Sequence, residues 1–81
     1  MKVPKVVIRK LGREKALGQA YVDYNLIEID PRHKTAKSLL DTELHEFFHI
    51  RHPEWSEKKV IKEAKATRDF LWQLKYRKMN L

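Results

Sequence analysis

The sequence predicts an α+β fold, with a small antiparallel three-stranded sheet followed by two antiparallel helices, in one domain spanning residues 1–81. Three observations lead there. Short β-branched or alternating runs occupy residues 3–11, 19–23 and 26–30. Apolar residues recur at helical spacing over about 35–51 and 56–78. A proline-containing joint, His52-Pro53-Glu54-Trp55, separates those two periodic stretches.

The first strand is carried by Val6, Val7 and Ile8 between lysines, and Pro4, which has no N–H to give a ladder, places it near a sheet edge. Gly12 to Gly18 reads as a solvated connection. Ala20-Tyr21-Val22 and Leu26-Ile27-Glu28-Ile29 flank Asp23-Tyr24-Asn25 and read as a hairpin. Period-2 alternation then turns Ile27 and Ile29 to the core and Leu26, Glu28 and Asp30 away from it. Asp30-Pro31-Arg32 ends the strand, and Thr35 or a neighbour caps the first helix. On a helical wheel Ala36, Leu39, Leu40, Leu44, Phe47, Phe48 and Ile50 form the apolar half. Ser38, Thr42, His45, Glu46 and His49 share another sector, looking away from most of the core. Ser56 caps the second helix, with Trp55 and Val60 spaced as a hydrophobic staple. That helix presents Val60, Ala64, Thr67, Leu71 and Leu74 inward.

With 81 residues the chain builds only a small core, and without cysteine it has neither disulfides nor thiolate metal sites. The excess of 18 Lys and Arg over 11 Asp and Glu gives a net charge of +7. The basic residues are scattered and interleaved with acids, so they read first as a solvated surface; nucleic-acid contact is a secondary expectation. No apolar run reaches the roughly 18 residues of a membrane span, and the first residues lack the pattern of a signal peptide. The expectation is a cytoplasmic protein.

The chemistry concentrates in His45-Glu46-Phe47-Phe48-His49, a His-Glu-x-x-His motif inside the first helix. Residues i and i+4 of a helix lie about 40° apart around the axis and about 6 Å apart along it, so two imidazoles can share one metal ion. The adjacent glutamate can act as a base toward metal-activated water. A catalytic zinc site needs a third protein ligand. Glu54 and Glu57 lie in or just after the joint, level with the end of the first helix, whereas Glu63 returns in an antiparallel pair to the level of His45. Glu63 is therefore the expected third ligand. His52 is the alternative, but on a straight helix it stands about 10 Å along the axis from His45.

The hairpin, the helix with His45-Glu46-Phe47-Phe48-His49 and the following helix with Glu63 resemble a small zincin metallopeptidase of the gluzincin type. The likeness is to the minigluzincins, and more loosely to ImmA/IrrE-type and SprT-like zincins, over most of residues 19–75. The resemblance implies Zn2+ held by His45, His49 and Glu63, Glu46 as catalytic base, and a peptide or protein substrate aligned antiparallel along a cleft strand at Leu26, Ile27, Glu28 and Ile29. Two features depart from the family. Thr67 stands where gluzincins place an aspartate four residues after the ligand glutamate, and these 81 residues are not expected to form the second subdomain that walls the cleft of larger zincins. Tyr21, Tyr24, His33 and Tyr76 are the candidate donors to a developing oxyanion. The alternative function is a noncatalytic zinc-stabilised binding module, to which a base at Glu46 would contribute nothing.

Overall fold

The computed structural model describes residues 2–12 and 17–77. It contains strands β1 (Lys5–Ile8), β2 (Gly18–Tyr21) and β3 (Leu26–Ile29), followed by helices α1 (Ala36–Arg51) and α2 (Glu57–Gln73). The α+β class is as expected. The sheet, however, is mixed rather than wholly antiparallel. Its order is β1-β3-β2, with β3 antiparallel to β2 and parallel to β1. Successive strands still reverse direction, but the chain leaves β1, skips one position, lays down β2 and returns as β3 between them.

Asp30 explains how that crossover is held. It is fully buried at the end of β3, where its Oδ2 accepts the Leu11 amide (2.7 Å) and its own amide donates to the Leu17 carbonyl (2.9 Å). Both sides of the β1–β2 connection are thus tied to the same residue. Its Oδ1 accepts the Arg32 amide and Nε at 2.9 and 2.8 Å. These donors hold the Asp30 pKa down at about 2, the Arg32 bond contributing most. Leu11, expected as a strand end, is instead a buried core residue.

The hairpin closes through a short 3-10 turn, Val22–Tyr24, followed by Asn25 in the left-handed region (φ 48°), which asparagine tolerates better than most residues. Ile27 and Ile29 are buried as the alternation predicts, but Glu28 is buried too. Its carboxylate accepts Arg9 Nε and the Tyr21 hydroxyl (2.9 Å), so a position predicted to turn away from the core is satisfied by one partner from β2 and one from the residue after β1.

Thr35 caps α1 through its hydroxyl, which accepts the Ser38 amide, and Ser56 caps α2 in the same way from Lys59. The second helix ends earlier than the predicted Lys78, which lies outside the described residues. Lys75 takes a positive φ of 65°, and the amides of Lys75 and Tyr76 return to the carbonyls of Trp72 and Leu71. This closes the helix at Gln73 and leaves Leu74, expected inward, half exposed. Val60 and Ala64 form the buried stripe of α2. Trp55 sits on Phe48 and His52 and beneath the ammonium of Lys59.

Candidate metal centre and its flanking cavity

One turn of α1 brings His45 Nε2 and His49 Nε2 to 3.1 Å from each other. Glu57 opens α2 directly after the Ser56 cap, and there its carboxylate meets both rings, Oε1 at 2.7 Å from His45 Nε2 and Oε2 at 2.9 Å from His49 Nε2. Among the described residues, these three form the group whose ligand atoms converge enough to hold one metal ion, all within 4.8 Å of one another. Glu63 and His52 are not part of it.

The structure thus brings Glu57, and not the expected Glu63, against the two imidazoles. Equal axial heights on two ideal helices placed Glu63 opposite His45, but the tight joint starts α2 beside the last turns of α1, and the long Glu57 side chain spans the remaining gap. Glu63 lies about 9 Å farther along α2. His52 ends α1, its ring stacked on Trp55 with centroids 3.8 Å apart.

The convergent atoms are of the kinds zinc takes, and the two imidazoles are spaced for it. Two nitrogens bound tetrahedrally at ordinary zinc distances stand about 3.3 Å apart, close to the separation here. The Glu57 oxygens would need to withdraw by about half an ångström, and their side chain, 61% exposed, is free to do so. Two imidazoles and one carboxylate also leave a fourth position for water or substrate.

Glu46 differs from the wheel-based expectation. It is the one buried residue of α1, because β2 lies across that sector of the helix. Gly18 makes the approach possible: a Cβ there would fall 2.6 Å from Thr42 Cγ2 and 2.9 Å from Glu46 Cγ. Burial raises the Glu46 pKa, opposed by the nearby His45 and His49 and reinforced by the Glu57 carboxylate. Glu46 and His45 share the wall of a cavity of about 180 Å³ with Leu17, Gly18, Asp41 and Thr42. Gly18, placed in a loop by the sequence reading, is the residue that reading missed; a lone glycine opening a strand signals close backbone approach.

The expected substrate-binding strand, Leu26, Ile27, Glu28 and Ile29, lies at the centre of the sheet. β3 is paired on both sides over its whole length, so it has no free edge to offer a peptide, and Ile27, Glu28 and Ile29 are buried. The strand beside His45 and Glu46 is β2, which pairs only with β3 among the described residues. Of the candidate oxyanion donors, Tyr21 is spent on Glu28. His33 has both ring nitrogens engaged, Nδ1 with the Asp30 carbonyl (2.8 Å) and Nε2 with the Thr42 hydroxyl (3.0 Å). Tyr24 and Tyr76 are largely exposed.

Comparison of the chain with protein-family models, with curated proteins and with solved structures finds no match in any of the three.

Proposed function

We propose that this protein is a zinc-dependent peptidase in which His45, His49 and Glu57 hold the metal and Glu46 is the general base. The observation that carries the reading is the meeting of two imidazole nitrogens and a carboxylate on one side of α1, with a second, desolvated carboxylate next in sequence to the first ligand and lining a cavity. Zinc bound there would supply a Lewis acid and a water acidified to about neutral pH. The chain's own residues supply the remainder. Glu46, shielded by Gly18 and kept more basic by its burial, is suited to take a proton and pass it to a leaving amine. An extended peptide would lie along the open edge of β2, where main-chain pairing can fix its register over the cavity.

The lack of cysteine suits a reducing, cytoplasmic setting. No helix among the described residues is long and apolar enough to cross a membrane.

One observation favours a second reading, a structural zinc site in a binding module. The fully buried apolar residues are few among those described, Leu11, Ile27, Ile29, Val60 and Ala64, and the ligand set joins α1 to α2, so a metal clip would add stability to a thin core. Glu46 separates the two. Zinc-loaded wild type and Glu46→Gln are incubated with an unbiased peptide library and the products identified by mass spectrometry. Cleavage by the wild type, with the variant retaining zinc but losing turnover, is the expected result. Equal turnover by both rules out Glu46 as base, and no cleavage by either favours the structural site.

A further inference from the structure

We propose that the open edge of β1 is a docking strand for an extended segment of a partner protein in which apolar and acidic residues alternate. This surface lies at the opposite edge of the sheet from β2 and is independent of the metal site.

The main chain makes the first part of the argument. The amides of Lys5 and Arg9 donate across to the carbonyls of Asn25 and Ile29, both at 3.0 Å. In a parallel ladder alternate residues direct their N–H and C=O to the same neighbour, so Val6 and Ile8 turn theirs to the outside, where no described strand pairs with them. Pro4, two residues before Val6, offers no N–H and so ends the pairing register.

The side chains of the same two residues supply the second part. Val6 stands beside Ile27 and Ile8 beside Ile29, so all four share a sheet face. The isoleucines of β3 are at most 2% exposed, whereas Val6 and Ile8 are 51% and 55% exposed. Helix α1 packs against β2 and β3, while Val6 and Ile8 stay exposed at the sheet edge. Val6 and Ile8 therefore present unpaired main-chain groups and uncovered apolar side chains together, which is what an added strand uses for affinity and for specificity.

Charge selects the occupant. Lys5 is exposed on this strand, and Lys2 and Lys10 are exposed beyond its two ends. Edge lysines oppose indiscriminate pairing, and here they would set like charges against one another if β1 paired with its counterpart in a second copy. Lys5, on the opposite face from Val6 and Ile8, complements a glutamate or aspartate alternating with the apolar residues, and Lys2 and Lys10 complement acidic residues toward the ends of the segment. Nucleic acid would meet the lysines but leave Val6, Ile8 and their main-chain groups unused.

The test is a nuclear magnetic resonance titration of the Glu46→Gln protein, which spares the peptide from any cleavage. The probes are a synthetic Glu-Val-Glu-Ile-Glu-Val peptide, its Lys-Val-Lys-Ile-Lys-Val counterpart and a single-stranded oligonucleotide. The expected result is binding of the acidic peptide with slowed amide exchange at Val6 and Ile8. The Val6→Ser/Ile8→Ser variant, altered only at exposed side chains, should bind it about tenfold more weakly, and Lys5→Glu/Lys10→Glu should reverse the preference between the peptides. No binding of the acidic peptide, equal binding of the two peptides, perturbations away from β1, a stronger response to the oligonucleotide, or concentration-dependent self-association through β1 would each overturn the proposal.

Discussion

Glu57, the first residue of α2, places one carboxylate oxygen 2.7 Å from His45 Nε2 and the other 2.9 Å from His49 Nε2. One side chain from the second helix thus closes on two side chains separated by a turn of the first. The arrangement connects the capping of α2 to the candidate metal site, since Ser56 fixes where the helix begins and so where Glu57 stands.

The first prediction follows from that contact. Glu57→Ala should weaken zinc binding by at least about tenfold, whereas Glu63→Ala and His52→Ala should leave it within about twofold. Competition with a chromophoric chelator measures all three. A larger loss for Glu63→Ala than for Glu57→Ala would restore Glu63 as ligand.

Gly18 supplies a second. A methyl group at this position meets Thr42 and Glu46 at 2.6–2.9 Å, too close for either to stay where it is. Gly18→Ala should cost about 1–3 kcal/mol in denaturant unfolding and reduce peptide turnover by displacing Glu46, while leaving zinc affinity nearly unchanged. Wild-type stability together with wild-type turnover would show that the strand can move aside.

Asp30 predicts the acid limb of stability. Its pKa in the folded protein is about 2, below the ordinary aspartate value of 3.8, so the unfolded chain binds the proton more tightly. Its contribution to stability is complete above the ordinary value and is lost as pH falls from there through 2. Asp30→Asn should lower stability at neutral pH and flatten the decline between about pH 4 and 2. Thermal unfolding across that range checks both statements; an unchanged acid slope would mean that other carboxylates carry it.

The helix caps give a fourth. Thr35→Ala removes the acceptor of the Ser38 amide and should cost about 1 kcal/mol, as should Ser56→Ala. The two differ in function. Only Ser56→Ala should also weaken zinc binding, because it loosens the start of α2 that carries Glu57.

Much of this was legible in the residues. The His-Glu-x-x-His spacing, the β-branched runs, Thr35, Ser56 and Pro53 each act through contacts within a few positions of themselves, and their elements appear with boundaries shifted by a few residues. What escaped depends on neighbours distant in the chain. The parallel pairing of β1 with β3 rests on Asp30 gathering Leu11 and Leu17, and period-2 alternation cannot distinguish such a buried, fully bonded aspartate from a solvated one. A helical wheel puts Glu46 in a polar sector because it records a residue's angle but not what lies across it. The approach of Glu57 to the imidazoles is hidden from axial heights on ideal helices, which neglect the reach of a long side chain at a tight joint. Gly18 could have been suspected from its type alone.

Titration calorimetry of zinc into metal-free protein at neutral pH tests the proposed metal site most directly. One equivalent should bind to the wild type and raise its unfolding temperature, adding about 2.7 kcal/mol of stability when free zinc is a hundred times the dissociation constant. His45→Ala and His49→Ala should each abolish that saturable site. Failure of the wild type to bind zinc, or binding that survives loss of either histidine, would contradict the account.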